Sequence, residues 1–213
     1  MEINKRFFFS YTRSHLFSEG FTQTQVDGLN HLLAYWEANM IDCDDRWLAY
    51  ALATVHHETD KKMQPIKEYG DADYFTEMYD IRGRRPDVAK QLGNLEPGNG
   101  AKFFGRGFVQ LTGKNNYRDW SKRLGIDLLA NPDDCLDIDV ATKILFVGMK
   151  KGSFTGKGFA HYFQGAKEEW VKARYIINGQ DKAHLIAGYA QQYYAAICYI
   201  DDVKAMEKQT ATA

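Results

Sequence analysis

The sequence is poor in cysteine and proline and carries almost no net charge. Among 213 residues there are four prolines, three cysteines and a formal net charge of −1. Cys43, Cys135 and Cys198 form no CxxC motif and cannot all pair, so we expect reduced thiols that pack as small apolar side chains. The scarcity of proline leaves room for long helices. The charge balance gives no reason to expect a nucleic acid as partner.

Long apolar runs are also missing. The aromatic run 7–9 ends at Ser10, and Arg13 follows, whereas the apolar region of a secretion signal needs roughly 7–15 residues. No stretch approaches the ~20 apolar residues of a membrane span. The sequence therefore predicts a cytoplasmic protein with no membrane span, which needs another factor to reach any substrate outside the cell.

What the sequence does contain is enough apolar material for a core. Hydrophobic residues make up 45% of the chain and aromatic residues 14%, which is typical of a globular protein. No internal repeat or linker divides the chain. We therefore expect a single domain over residues 1–213, with N-terminal helices in 1–44 packing on the core and no separate binding module.

Apolar residues recur at helical spacing through most of the sequence. The glycine-rich and aromatic segment 93–113 is the exception, and it is typical of turns and short strands. The predicted fold class is mainly α with a small β element. The predicted helices cover 22–39, 46–59, 73–92, 115–124, 137–151, 167–177 and 182–200.

One carboxylate, Glu58, lies on the apolar side of a predicted helix. It continues a stripe formed by Leu48, Ala51, Leu52 and Val55, so its side chain should face the buried side or a cleft. Burial and the negative end of a helix both disfavour a carboxylate anion. A protonated carboxyl can serve as the general acid that cleaves a glycosidic bond. The alternative is an ordinary glutamate at a frayed helix end.

The histidines before Glu58 do not form a metal site. A zinc-binding HExxH motif needs a second histidine four positions after the first, and Lys61 stands four positions after His57. We expect no metal and no cofactor. His57 is expected to shape the site, and His56 to serve in packing.

Five segments of the sequence resemble glycoside hydrolase family 19. They are HET at 57–59, PIKEYG at 65–70, FGRGFVQLT at 104–112, NNY at 115–117 and ARYIING at 173–179. They occur in the family's order. The family includes chitinases and a compact branch of phage and prophage endolysins that act on peptidoglycan. The sequence is most similar to the endolysin branch, because it lacks a disulfide framework and only ten positions separate Glu58 from Glu68.

The resemblance implies a lysozyme-like, two-lobed helical fold with a substrate cleft between the lobes. It implies an endolysin-type lysozyme that cleaves the glycan of bacterial peptidoglycan by hydrolysis with inversion. A chitinase acting on chitin or chitooligosaccharides is the first alternative, and an inactive wall-binding module is the second. The endolysin reading further implies cytoplasmic accumulation until lysis and release through a holin-type pore.

The resemblance also implies roles for individual residues. Glu58 is the acid, Glu68 is the base that acts on a water molecule, and Thr112 holds that water. Gln110 and Thr112 stand two apart, so in an extended segment both would face the same side. The residues implied to bind substrate are His57, Gln110, Asn116 and Asn178.

Other interpretations of these residues stay open. Glu68 could be a solvated charge beside Lys67, with Glu77 as its substitute. Asn115 and Asn116 could serve turns or caps. Arg106 could brace a carboxylate or only a backbone carbonyl. Arg174, expected four residues before Asn178 on a helix, could be purely structural. Aromatic residues that could stack on sugars, but are more often core residues, are Tyr69, Tyr74, Phe75 and Phe104.

Overall fold

The fold is mainly helical, as predicted. The computed structural model describes residues 1–200, and these contain nine α-helices and four strands of two residues each. The helices are α1 (Lys5–Leu16), α2 (Gln23–Asn39), α3 (Asp45–Glu58), α4 (Ala72–Tyr79), α5 (Pro86–Leu92), α6 (Asn99–Lys102), α7 (Lys114–Leu124), α8 (Ile138–Lys151) and α9 (Ala183–Ala196). The strands are β1 (Ile66–Lys67), β2 (Arg106–Gly107), β3 (Phe163–Gln164) and β4 (Lys167–Glu168). Short 3-10 helices cover Pro132–Leu136, Phe159–His161 and Lys172–Ile176.

The chain divides into two compact units. Of the described residues, the first unit comprises 1–63 and 146–200, and the second unit comprises 64–145. No helix of residues 1–200 is both long and apolar enough to span a bilayer.

Helix α3 forms the centre of the first unit. Asp44 caps its start by accepting a hydrogen bond from the N–H of Arg46 at 3.0 Å, which satisfies one of the free donors of the first turn. Every residue from Leu48 to His56 is buried, so the helix is enclosed on all sides rather than on the predicted stripe alone. Helices α9 and α3 pack together, and α1 packs on α9. Phe8 of α1 is fully buried against Tyr193 of α9.

The second unit is organised around a small antiparallel pair of strands. Strands β1 and β2 pair with Ile66 opposite Gly107 and Lys67 opposite Arg106. The Arg106 side chain is buried beside this pair. It donates from Nε to Asp133 at 2.7 Å and from Nη1 to the carbonyls of Lys102 and Phe104 at 3.0 Å each. Both expected roles of Arg106 are therefore present, and the arginine ties the strand to its neighbouring loops.

Two helix predictions need correction. The predicted helix 73–92 is two helices, because Pro86 starts α5 and the residue before a proline is disfavoured in a helix. The predicted helix 167–177 is wrong: it begins as β4 in a hairpin turned at Gly165, whose φ is 57°, and continues as a 3-10 helix. Helix α1 lies within the N-terminal helices expected in 1–44, but its bounds were not predicted, since its aromatic run 7–9 was considered only as a possible signal.

Within residues 1–200, no disulfide joins any of the three cysteines. Cys135 is buried, as expected of a small apolar residue, whereas Cys43 and Cys198 are only partly buried. The Cys43 sulfur lies 3.5 Å from Nζ of Lys150.

Candidate active site

Glu58 is the last residue of α3 and is held there by an ion pair. Its Oε1 accepts a hydrogen bond of 2.6 Å from Nη1 of Arg174. The Glu58 side chain is 18% exposed and that of Arg174 is 4% exposed. Glu58 is therefore not frayed into solvent. The hydrogen bond is charge-assisted, with the Arg174 guanidinium as donor.

The turn after Glu58 is strained and firmly pinned. Asp60, Lys61 and Met63 all have positive φ, between 52° and 62°, a conformation that costs energy in residues other than glycine. The buried Thr59 offsets this by donating from Oγ1 to the carbonyl of Val55 at 2.7 Å and accepting from the N–H of Met63 at 3.1 Å. The end of α3, and with it Glu58, is therefore fixed from both sides.

His56 has a packing role, in line with expectation. It is buried among Phe17, Tyr189 and Tyr193, and its Nδ1 lies 3.0 Å from the Tyr193 hydroxyl. Burial, with smaller contributions from Lys61 and His57, lowers the pKa of His56 to about 4. The ring is therefore neutral at ordinary pH. His57 is half-buried on the adjacent position of the helix.

Glu68 directly follows β1 and is bound by two donors. Its Oε1 accepts from the hydroxyl of Tyr79 at 2.7 Å, and its Oε2 accepts from the N–H of Gly105 at 3.0 Å. Its own N–H donates to the carbonyl of Gly105 at 2.8 Å. Lys67 instead pairs with Asp133. Glu68 is thus a positioned carboxylate, not a solvated charge.

Glu77, the substitute considered for Glu68, is engaged elsewhere. Its carboxylate pairs with Nε of Arg84 at 2.5 Å, and both side chains are largely exposed. An exposed ion pair of this kind is typical of a protein surface.

Three polar side chains of the second unit converge on Gly105. A Cβ on this glycine would lie 2.8 Å from Oε2 of Glu68, 2.9 Å from Oε1 of Gln110 and 3.1 Å from Oγ1 of Thr112. Only glycine leaves these oxygens room to approach the backbone so closely. Two acceptors and a hydroxyl in one place form a set that can orient a small donor such as water.

Gln110 belongs to this cluster, but its backbone does not have the extended conformation that was predicted. It is not in an extended segment, because its φ is 54° and the turn it belongs to is closed by hydrogen bonds between Arg106 and Leu111. Its Nε2 donates to the carbonyls of Ile66 and Gly107 at 3.3 and 3.2 Å. Within the described residues its buried Oε1 has no hydrogen-bond partner. A strained residue with a free buried acceptor is typical of a functional position.

Asn116 and Asn178, the two asparagines expected to bind substrate, are bound less firmly than Glu68 and Gln110. Asn116 is exposed and donates from Nδ2 to the carbonyl of Thr112 at 2.6 Å, a local hydrogen bond that does not cap the start of α7. Asn178 is exposed, and its Oδ1 accepts from the N–H of Gly179 at 2.8 Å. Asn178 does not share a helix with Arg174, because the 3-10 helix ends at Ile176.

The predicted residues fall into two groups. Glu68, Gln110 and Thr112 lie together in the second unit, with Asn116 adjacent to Thr112. Glu58, His57 and Asn178 lie in the first unit. The aromatic candidates divide as well: Tyr69 and Tyr74 are exposed, whereas Phe75 is buried and stacks on Phe104 with ring centroids 4.1 Å apart.

Two contacts of the site were missed in the sequence. Tyr79 was assigned no role, although its hydroxyl binds Glu68. The pairing of Arg174 with Glu58 was not predicted either, because the two residues are 116 positions apart. No short motif or helical spacing connects them.

Comparisons with known proteins confirm the family that the five sequence segments resemble. A family model described as chitinase class I, of glycoside hydrolase family 19, matches residues 24–151. The chain belongs to glycoside hydrolase family 19. A family 19 domain-containing protein of Haemophilus influenzae is 41% identical over 74 residues, which cover 30% of this chain and 36% of that protein. The match therefore spans about a third of this relative's length.

Solved structures show the same fold. Chitinase C from Streptomyces griseus superposes with a TM-score of 0.56 over 91% of each chain, at 22% sequence identity. A variant of chitinase C gives a TM-score of 0.54 at the same coverage and identity. At this level of identity the likeness concerns the fold. The lysozyme-like, mainly helical class expected from the sequence is thereby confirmed.

Proposed function

We propose that the protein is a glycoside hydrolase that cleaves the glycan strands of bacterial peptidoglycan. The observation that carries the proposal is the environment of Glu68, a carboxylate held by Tyr79 and Gly105 and faced by Gln110 and Thr112. A base that acts on water needs a fixed carboxylate and neighbouring polar groups that orient the nucleophile. Family membership supports the same chemistry.

In the proposed mechanism, Glu68 accepts a proton from the attacking water while Thr112 orients that water. Glu58 donates a proton to the oxygen of the leaving sugar. Arg174 binds Oε1 of Glu58, so the proton is carried on Oε2. Gln110 offers its free Oε1 to an N–H or O–H group of the sugar or to the water. A single displacement of this kind inverts the configuration at the anomeric carbon.

Peptidoglycan is proposed as substrate because the chain has the compact features of the endolysin branch. Ten positions separate the two glutamates, and no disulfide joins the three cysteines in the described part of the chain. The specific alternative is chitin or a chitooligosaccharide, favoured by the structural likeness to chitinase C.

Product analysis tests both the reaction and the substrate. The protein is incubated in parallel with purified peptidoglycan and with a chitin hexamer, and the early products are examined by mass spectrometry and NMR. We expect new reducing ends from peptidoglycan, each formed by addition of one water and with inverted anomeric configuration. Anhydro ends would exclude hydrolysis through Glu68. Cleavage of the hexamer alone would assign the chitinase alternative, and no cleavage of either polymer would leave the inactive binding module.

We also propose that the protein reaches the wall from the cytoplasm through a separate, holin-type pore. The support is that the N-terminal aromatic run lies in helix α1 of the folded protein, where Phe8 is fully buried against Tyr193 although Phe7 is exposed. Expression without a pore should leave cells intact until the membrane is permeabilised. Rapid lysis of cells with an intact inner membrane would contradict this route.

A further inference from the structure

The hydroxyl of Tyr79 binds Glu68 but takes no part in the proton transfers proposed above. It lies 2.7 Å from Oε1 of Glu68. Burial, together with the hydrogen bond to Glu68 and its negative charge, raises the pKa of Tyr79 far above the ordinary value of a phenol. The phenol therefore keeps its proton, and remains a donor, throughout the pH range in which an enzyme works.

Tyr79 is itself held in place from two directions. Its carbonyl accepts a hydrogen bond of 2.9 Å from Nδ2 of the buried Asn94. Its ring stacks on Phe75 with centroids 6.4 Å apart and an angle of 14° between the planes. Phe75 stacks in turn on Phe104, directly before Gly105. The ring and the backbone are therefore both anchored, which leaves the hydroxyl little freedom to leave Glu68.

The two donors on Glu68 bind different oxygens. Tyr79 binds Oε1, and the N–H of Gly105 binds Oε2. A carboxylate bound at one oxygen can still rotate about its last bond, whereas one bound at both oxygens has a fixed plane. Oε2 is also the oxygen that faces Gln110 and Thr112 near Gly105.

We propose that Tyr79 is a positioning residue for the catalytic base: its hydroxyl fixes the plane of the Glu68 carboxylate so that Oε2 faces the water held by Thr112. The inference rests on the proposed role of Glu68. In this role Tyr79 acts through Glu68, the group its hydroxyl binds.

The first test is Tyr79→Phe, which removes the hydroxyl and keeps the ring on Phe75. Since a hydrogen bond to a charged group contributes about 1.5–3 kcal/mol, we expect kcat to fall roughly 10-fold to 100-fold with KM almost unchanged. The acidic limb of the pH–activity profile should move to higher pH, because loss of a donor disfavours the ionised carboxylate. The position of this limb and KM do not depend on the folded fraction, so both are measurable even if the variant is less stable.

Tyr11→Phe is the matched control. The Tyr11 hydroxyl lies 3.1 Å from Oε1 of Gln192 in the first unit, so this variant also loses one tyrosine hydrogen bond. Its kcat, KM and pH profile should equal those of the unmodified protein.

A double-mutant cycle with Glu68→Gln separates the inference from the proposed function. If Tyr79 acts through Glu68, adding Tyr79→Phe to Glu68→Gln should lower the residual activity no further. An equal loss in both backgrounds, or an unchanged kcat and pH profile for Tyr79→Phe alone, would overturn the inference and leave Glu68 as the base. Full activity of folded Glu68→Gln would instead overturn the base assignment itself.

Discussion

Gly105 is the residue at which the candidate base, Gln110 and Thr112 meet, and it can be tested without breaking the fold. A methyl group added there would press on three side-chain ends that can move, and the φ of Gly105 is not in the left-handed region. We therefore expect Gly105→Ala to lower kcat at least 10-fold, because the displaced groups no longer converge. The melting temperature should change by only a few degrees.

A matched glycine serves as the control for this variant. Gly188 lies in α9, and a Cβ there would contact nothing within 4 Å. Gly188→Ala should therefore raise the free energy of unfolding by roughly 0.5–1 kcal/mol, as expected for a helical glycine, and leave kcat unchanged. If Gly105→Ala kept full activity, the convergence at Gly105 would have no catalytic importance.

The proposed roles also predict an order among three further substitutions. Glu58→Gln should reduce kcat most, since the N–H group of an amide is too weak an acid to protonate the leaving oxygen. Glu68→Gln should follow, and Thr112→Ala should cost least because it removes one orienting contact. General acid–base catalysis sets the scale at roughly 10²–10⁴-fold. Steady-state kinetics on the cleaved substrate gives the order, and a larger loss for Thr112→Ala than for Glu68→Gln would contradict it.

At the scale of elements, apolar periodicity predicted most of the long helices well, with α1 as the exception, and it did not separate the short helices α4 and α5. Helices α2, α3, α7 and α8 lie close to their predicted bounds. The break between α4 and α5 has a local signal in Pro86, but the end of α4 is also fixed by a tertiary contact, because the buried Asp80 carboxylate accepts hydrogen bonds from the N–H groups of Gly98 and Gly100. Such a contact between residues about twenty positions apart leaves no periodic signal in the sequence.

The end of α3 offers a prediction at the same scale. Thr59→Val keeps the shape of the side chain but removes the acceptor of the buried Met63 N–H. An unpaired buried donor costs about 1–3 kcal/mol, so the free energy of unfolding in urea should fall by that amount. Activity should fall too, because the turn that fixes Glu58 is loosened.

Thr54→Val in the same helix is the control for Thr59→Val. Thr54 is also buried, but its hydroxyl only donates to the carbonyl of Tyr50, within the helix. That bond adds little to a helix, so Thr54→Val should be nearly neutral. Equal losses for the two variants would show that the turn at Thr59 has no special importance.

At the scale of the whole molecule, the sequence predicted the family and most residues of the candidate site. This was possible because these residues lie within short family motifs that are visible in the sequence alone. It did not predict how the residues are held. Arg174 reaches Glu58, and Tyr79 reaches Glu68, through folding of the chain and not through spacing within one motif. The strained backbone of Gln110 is a further example, since glutamine has no intrinsic preference for positive φ.

The buried His56 makes the stability of the whole molecule depend on pH. Its pKa is about 4 in the folded protein against an ordinary value of 6.5, so the unfolded chain binds a proton more readily. Above pH 6.5 the ring is neutral in both states, and its contribution is fully present. Between pH 6.5 and 4 the unfolded state gains the proton first, and stability falls by a total of about 3 kcal/mol. Below pH 4 this contribution is fully lost.

Urea unfolding at several pH values from 7.5 to 4 measures this loss. His56→Gln cannot titrate and can still bond the Tyr193 hydroxyl, so its stability should be lower at pH 7.5 but flatter with pH than that of the unmodified protein. The exposed His184 provides the control, and His184→Gln should keep the original slope. Because the maximum slope for one titrating group is about 1.4 kcal/mol per pH unit, the difference between the curves assigns the proton to one residue. Identical slopes for His56→Gln and the unmodified protein would show that other groups, not this buried ring, cause the acid sensitivity.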